Sequence, residues 1–281
     1  MTKIKKLRFS MQNFIFYLAG ALIILGMKCY YRQADCDSLR WILGPTAGWV
    51  QLLSGIPFTY LPDAGYVNHS LRLLIAPSCS GVRFMMILFA TLVFSFTPVI
   101  AASQAADKTH TLRPSCRIFP ASETLRSWVK GFCWIAGSGI SSWLLTVLVN
   151  GLRIIAAIYL PLYLEAAGLI GKVLTWDRLH TLIGVVIYFM ALLAVYRLAG
   201  RLVHRKTGIR LLPALLRKCA PPVFWYLAFT LGLPLLHRAG RGSTSEFTEF
   251  AVLVAFGCVL ILLPYCMILF FRKQRFHRKQ R

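Results

Sequence analysis

Acidic residues are scarce in this sequence, which has nine Asp and Glu among 281 residues against 32 Lys and Arg. Charged residues make up 15% of the chain, whereas a soluble domain carries about 25%. Hydrophobic residues reach 57% and lie in long uncharged runs separated by basic loops, which is typical of a membrane protein. The net charge of +23 is therefore assigned to the ends of membrane spans, and no nucleic-acid partner is expected.

Cysteine pairs with the spacing of a zinc or redox site are also missing, because none of the eight cysteines forms a CxxC motif. The glycines form no phosphate-binding loop. We therefore expect neither a metal nor a cofactor. Most of the cysteines lie in apolar runs, where cysteine usually packs as a small hydrophobe. Cys29 and Cys36 are both expected at the outer surface, and the sequence leaves a disulfide between them open.

Six apolar segments are long enough to cross a bilayer, which needs about 20 residues each. They cover residues 10–27, 84–103, 131–152, 179–196, 220–236 and 250–271. The first lacks a small-residue cleavage site and is expected to stay as an uncleaved span. A shorter run, residues 154–164, contains Pro161 and is interpreted as an interfacial or re-entrant helix. The sequence thus predicts an all-α polytopic membrane protein with about six transmembrane helices, forming one integral membrane domain over residues 1–281.

The loops carry a strong charge asymmetry that predicts the orientation. Twenty-two of the 32 basic residues lie in the two terminal tails, the second-to-third loop and the fourth-to-fifth loop. Seven of the nine acidic residues lie in the other loops. Because basic loops stay in the cytoplasm, we expect both termini to be cytoplasmic and the protein to be a multi-pass protein of the cell inner membrane.

The longest outer segment, residues 31–77, is too apolar for a plain loop. Residues 39–53 predict a helix that lies on the membrane surface. Residues 58–61 and 66–75 flank the sequence PDAG, which is typical of a turn. We therefore expect a small outer-face element, a helix and a β-hairpin, that leads into the sequence PSCSG before the second span.

Three residues with the chemistry of acyl transfer fall at the outer ends of spans, namely Cys79 before the second, Arg153 after the third and His180 at the start of the fourth. A thiolate is a nucleophile, and an imidazole exchanges protons near neutral pH. A guanidinium can hold an oxyanion or a substrate carbonyl. Taken singly, each residue type is more often structural, as a small core residue or an interfacial anchor. The expected position of all three residues on the same, outer side of the membrane is what indicates a site.

Three neighbouring residues are expected to support these roles. Cys79 is interpreted as the start of a helix with Arg83 one turn later, and both a helix N-terminus and a nearby cation favour a thiolate. Asn150 lies one turn before Arg153 and could fix its guanidinium or bind substrate backbone. Asp177 lies three residues before His180 and could orient the imidazole ring.

The sequences APSCSGVR at residues 76–83 and NGLRI at residues 150–154, with His180 followed by Gly184, resemble the motifs of the exosortase/archaeosortase family. Their order and their positions relative to the spans match as well. Many members carry Ala or another small residue directly before the cysteine, and the Pro-Ser pair found here is similar to smaller subtypes such as exosortase K. The resemblance covers residues 58–196. It leaves residues 197–281, two further spans and a basic tail, without an assigned role.

The resemblance implies a cysteine transpeptidase or protease in which Cys79, Arg153 and His180 are catalytic. Such enzymes cleave C-terminal sorting signals of exported proteins through a thioester intermediate. The signal consists of a short motif, a transmembrane helix and a basic cluster. The implied partners are exported proteins with such a signal and membrane lipids, and the implied active site lies on the outer, periplasmic face. The sequence does not indicate an oligomeric state.

Two other functions are compatible with six spans. A membrane lipid phosphatase would also carry Arg and His near the outer surface, but the spacing of Lys108 to Arg113 differs from that family's pattern and PSCSG lacks the expected following His. A transporter should carry acids near the middle of the bilayer, and the six spans have none in their centres. A non-catalytic assembly factor that binds sorting signals stays open.

Overall fold

The structure, a computed structural model, describes residues 3–110, 121–168, 171, 175–207, 214–238 and 244–278. Within these residues, six helical segments are long and apolar enough to cross a membrane. They are Met11–Gln33, Pro77–Thr97, Trp128–Ala166, Trp176–Val203, Cys219–Leu236 and Glu246–Ile268. Each overlaps one of the predicted spans, so the prediction of an all-α polytopic membrane protein is confirmed.

Eight α-helices and three short strands make up the described residues. The helices are α1 (Lys3–Gln33), α2 (Arg40–Ser54), α3 (Val82–His110), α4 (Ala121–Ala166), α5 (Trp176–Thr207), α6 (Ala214–Leu227), α7 (Leu233–Arg238) and α8 (Thr244–Arg278). A 3₁₀ turn, Pro77–Cys79, precedes α3, and a π-helical turn, Ala228–Gly232, joins α6 to α7. The strands are β1 (Thr59–Leu61), β2 (Gly65–Asn68) and β3 (Leu73–Ile75).

The chain divides into two compact units, each with its own packing. The first comprises Met1–Ala34, Val82–Thr146 and Val195–Leu212. Among its described residues, one buried cluster is built from Phe16, Phe89, Val93 and Ile135, and another from Leu92, Phe96, Tyr196 and Val203. The second unit comprises Asp35–Gly81, Val147–Ala194 and Pro213–Arg281. It contains the small sheet, α2 and the parts of α4 and α5 that carry the predicted site.

Helix α2 forms where the sequence predicts a helix, and it continues through Pro45. One face is buried through Ile42, Leu43, Thr46, Ala47 and Val50. The opposite face exposes Trp41 and Leu52. Gly55 ends the helix in the left-handed conformation (φ 71°) and its N–H donates to the carbonyl of Gln51, at 2.9 Å, which is a standard helix end. The predicted position of this helix on the membrane surface stays a prediction.

The predicted hairpin is extended into a three-stranded antiparallel sheet with the order β1-β2-β3. The turn between β1 and β2 falls at the predicted place, with Asp63 at φ 64° and Gly65 at φ 109°. The single second arm expected over residues 66–75 is wrong, because it is split into β2 and β3. Asn68 causes the split: its Nδ2 donates to the carbonyl of Pro57 (2.7 Å), and its Oδ1 accepts from the N–H of Leu71 (2.8 Å). An asparagine side chain that binds nearby backbone in this way favours a turn.

Helix α4 runs without interruption for 46 residues and contains Pro161. Residues 154–164, expected as an interfacial or re-entrant helix apart from the third span, are instead the last part of α4, so their separation from that span is wrong and their place at the membrane interface stays a prediction. Proline removes one backbone N–H from the helix, but a membrane helix tolerates this loss where its surroundings satisfy the freed carbonyl. At 1.5 Å per residue α4 is about 69 Å long, more than twice the hydrocarbon thickness of ~30 Å. Arg153 thus lies inside a helix and not after its end.

Cys29 and Cys36 are both free thiols, so the structure contains no disulfide between them. Cys36 is buried, and its Sγ donates to the backbone carbonyl of Asp63 at 3.3 Å. Burial of the thiol, and then the nearby carboxylates of Asp35, Asp37 and Asp63, raise the pKa of Cys36. Both effects disfavour the thiolate.

We expect Cys36 to react slowly with iodoacetamide in the folded protein. Burial shields the thiol from the reagent, and the raised pKa lowers the thiolate fraction, so at pH 8 the rate should be well below that in denaturant, by about tenfold or more for the two effects together. Mass spectrometry of the Cys36 peptide after timed labelling gives both rates. Equal rates in the folded and denatured protein, or a peptide cross-linked to Cys29, would contradict this environment.

Candidate functional site

Cys79 lies at the end of a 3₁₀ turn and not at the start of a helix. Its N–H donates to the carbonyl of Ala76 at 2.8 Å, and Gly81 follows at φ 74°. A residue with positive φ cannot continue a right-handed helix, so α3 begins one residue later, at Val82. The prediction that Cys79 occupies a helix N-terminus is therefore wrong, and the physical reason is the left-handed conformation of Gly81.

The same break changes the place of Arg83. This residue lies in the first turn of α3 with an exposed side chain, in the first compact unit. Because Cys79 precedes the break at Gly81, the two residues are not related by helical i, i+4 geometry. The spacing that was expected to set Arg83 beside Cys79 is thus absent.

Arg153 and His180 contact each other directly. Nη2 of Arg153 lies 2.6 Å from Nε2 of His180, which joins α4 to α5. A guanidinium has only donors, so Nε2 must accept the hydrogen bond. The ring proton then lies on Nδ1, and this imidazole is neutral. Arg153 is half-buried, whereas the ring of His180 is exposed.

A stripe along α5 receives the guanidinium of Arg153. It consists of His180, Gly184 and Tyr188, which follow one another at intervals of four residues and therefore share a helix face. A Cβ atom on Gly184 would lie 3.3 Å from Nε of Arg153, so the glycine leaves room for the arginine. The Tyr188 ring lies on the next turn, with its centroid 5.8 Å from Cζ of Arg153, within the range of a cation–π contact.

Asn150 connects this stripe to the cysteine turn. Its side chain is fully buried. Nδ2 donates to the backbone carbonyl of Cys79 and Oδ1 accepts from the hydroxyl of Tyr188, both at 2.6 Å. The amide therefore binds the protein's own backbone at Cys79, where the sequence had suggested the Arg153 guanidinium or a substrate. It fixes the turn that carries the thiol against α4 and α5.

Asp177 lies in the first turn of α5 and is exposed. It makes no hydrogen bond with His180 in the part of the chain that the structure describes. The next residue, Arg178, pairs instead with Glu249 of α8, with 2.6 Å between Nε and Oε1. The ring of His180 is oriented by Arg153 and not by the carboxylate expected from the sequence.

The thiol of Cys79 is partly exposed, and its Sγ has no hydrogen-bond partner among the described residues. The turn is held through its backbone, which leaves the sulfur available for reaction. The structure thus links Cys79, Asn150, Tyr188, Arg153 and His180 in a continuous series of contacts within one compact unit. Of the predicted residues, it brings four together and leaves Arg83 and Asp177 outside.

Two residues of the site were not found from the sequence. Tyr188 had a usable signal, because it continues the four-residue spacing of His180 and Gly184. Trp49 of α2 had none. Its ring packs on α4 at Gly151, where a Cβ atom would overlap with Cδ1 of Trp49. Gly151 thus lets α2 approach the helix turn that carries Asn150 and Arg153.

The fold defines a multi-pass membrane protein, and the site is a polar network within its apolar helices. Comparison of the chain with protein-family models, with curated proteins and with solved structures found no match. Within the described ranges, no group of three or more His, Cys, Asp or Glu side chains is arranged to hold a metal ion.

We expect Tyr188→Phe to destabilise the protein by about 1–3 kcal/mol, because it leaves the buried Oδ1 of Asn150 without its donor. Thermal unfolding in detergent measures the change as a lower Tm. Tyr159→Phe is the matched control, since Tyr159 is an exposed tyrosine of α4. Equal melting temperatures for the two variants would contradict the proposed importance of the hydrogen bond.

Proposed function

We propose that this protein is a membrane-embedded cysteine transpeptidase or protease that cleaves C-terminal sorting signals of exported proteins. The observation that carries the proposal is the contact of Arg153 with His180, connected through Tyr188 and Asn150 to the Cys79 turn. Ionisable side chains within membrane helices are costly and usually serve a function. The resemblance of the three motifs to exosortases supplies the reaction class.

In this mechanism the guanidinium of Arg153 can donate a hydrogen bond to either of two acceptors. In the resting protein its guanidinium donates to Nε2 of His180 and occupies the lone pair that a general base needs. The carbonyl oxygen of a bound substrate offers a second acceptor. When Arg153 turns to that oxygen, it polarises the scissile carbonyl and frees Nε2 to take the thiol proton of Cys79. Substrate binding and activation of the base are thereby coupled.

The reaction then follows two balanced steps. Sγ of Cys79 loses its proton to His180 and attacks the scissile carbonyl carbon, forming an S–C bond and an oxyanion beside Arg153. The C–N bond breaks as the imidazolium returns the proton to the leaving amine, which leaves a thioester on Cys79. Water or an amine-bearing acceptor attacks the thioester, the acyl group is transferred, and the thiol is regenerated.

A substrate with a transmembrane helix suits a site of this kind. The substrate's own span confines it to the bilayer, so it reaches the enzyme by lateral diffusion, and the flank of that span presents the scissile bond at a fixed depth. Such restriction supplies part of the orientation that a bond-breaking step requires. The charge asymmetry of the loops supports an inner-membrane location with cytoplasmic termini and an active site on the periplasmic face.

The proposal predicts that Cys79→Ala abolishes processing of a co-expressed exported protein with a tripartite C-terminal signal. Without the nucleophile, cleavage should fall by about a thousandfold or more. Immunoblotting of precursor and product over time measures the rate. Cys29→Ala is the control, because Cys29 is also a free thiol but is exposed on α1, and it should process at the normal rate.

Cleavage of the co-expressed substrate at the normal rate by the Cys79→Ala variant would contradict the proposed function. Binding of the signal without cleavage by the wild-type protein would identify an assembly factor. Loss of a lipid phosphate, insensitive to thiol alkylation, would identify a phosphatase instead.

A further inference from the structure

Helices α6 and α8 lie outside residues 58–196, the part of the chain that resembles the exosortase family, and both contact α5, the helix that carries His180. Glu249 of α8 forms an ion pair with Arg178 of α5, two residues before His180, with 2.6 Å between Oε1 and Nε. An ion pair at this place joins the start of α8 to the start of α5 beside the site. Both partners are partly exposed, so the attraction alone is modest.

Close packing about two helix turns further along α8 reinforces the ion pair. A Cβ atom on Gly257 would lie 2.6 Å from Cγ1 of Val185 and 3.4 Å from Cδ1 of Leu182. The backbone of α8 therefore lies directly against α5, an approach that only a residue without a side chain permits. Leu182 and Val185 flank Gly184, the residue that leaves room for Arg153.

Helix α6 contacts α5 next to the other end of the polar stripe. Phe189 follows Tyr188 directly, and its ring packs against Tyr226 of α6 with 5.1 Å between the ring centroids. Both side chains are buried. Contacts of this kind restrict rotation and sliding of α5, because interdigitated side chains move only by repacking.

We infer that α6 and α8 hold α5 in the position at which His180 meets Arg153, with Glu249 and Gly257 as the positioning residues. The last two spans are then part of the working site and not only an additional anchor. The consequence for processing rests on the proposed function, whereas the position of His180 can be measured without it. A small rotation of α5 would move the imidazole away from the guanidinium.

The test compares two substitutions with matched controls in the full-length protein. Glu249→Gln removes the charge of the ion pair, and Glu246→Gln makes the same change one turn earlier on α8, where the side chain is exposed. Gly257→Ala adds the methyl group that would meet Val185. Gly137→Ala adds the same group on α4, where no atom lies within 4 Å.

Diethyl pyrocarbonate, which modifies unprotonated imidazole, reports the position of His180 directly. In the wild-type protein Nε2 of His180 is occupied by Arg153, so modification should be slow. We expect modification to rise about two- to fivefold in Glu249→Gln, in line with the size of an exposed ion pair, and by about tenfold or more in Gly257→Ala. Peptide mass spectrometry measures the rates, with the exposed His69 of the outer segment as internal reference.

The rate at His69 should be unchanged in all four variants, which separates a local shift from general unfolding. Processing of the substrate should fall by a similar factor in Glu249→Gln and Gly257→Ala and stay normal in both controls. The inference would be overturned if His180 were modified at the wild-type rate in both Glu249→Gln and Gly257→Ala. An equal rise of this rate in the two control variants would overturn it as well. If Gly257→Ala does not fold, the labelling rate of His180 in Glu249→Gln decides whether the inference holds.

If Cys79→Ala processes the substrate normally, the proposed function fails. The labelling rate of His180 still decides whether α8 positions this residue.

Discussion

The buried amide of Asn150 is the interaction on which the candidate site depends. A polar side chain within an apolar helix bundle needs hydrogen-bond partners. Burying an amide without them lowers the stability of the fold by about 1 kcal/mol to several kcal/mol. Asn150 satisfies its two groups with the carbonyl of Cys79 and the hydroxyl of Tyr188. Three separate segments of the chain therefore have to meet at one point. The sulfur takes no part in this bonding and stays available.

The contact between Arg153 and His180 adds a chemical constraint to this framework. A guanidinium that donates to an imidazole keeps that ring neutral and its lone pair occupied. A site in this condition is inactive as a base until another acceptor attracts the arginine. In the proposed mechanism the substrate carbonyl is that acceptor, so the free enzyme is protected from unproductive reaction and the substrate itself starts the chemistry.

Much of the fold could be predicted from the sequence, because hydrophobic length and turn chemistry are local signals. The six spans, the helix over residues 39–53 and the turn at Asp63 to Gly65 all follow from such signals. The predictions fail where one side chain or one dihedral angle determines where an element begins or ends. Asn68 divides a strand, Gly81 separates Cys79 from α3, and α4 continues through Pro161. Local patterns do not report these outcomes, since each depends on bonds to distant backbone or on packing.

The site was predictable only in part for the same reason. Residue chemistry and span order suggested Cys79, Arg153 and His180, and the Arg153–His180 contact shows that α4 and α5 bring two of them together. Tyr188 could have been found from its spacing after Gly184, but Trp49 could not, because its approach to Gly151 is a tertiary contact. Arg83 and Asp177 were proposed from helical spacing alone. Spacing indicates a shared face and does not guarantee a contact.

Cys79 acts in the proposed mechanism as the nucleophile of this network, and trapping its covalent intermediate tests this role most directly. Acid quenching of the protein during turnover of a sorting-signal substrate, followed by peptide mass spectrometry, should show the substrate's new C-terminus attached to Cys79. The bond should be labile to hydroxylamine, as a thioester is. Cleavage of the substrate with no adduct on Cys79, or with the adduct on another cysteine, would contradict the account.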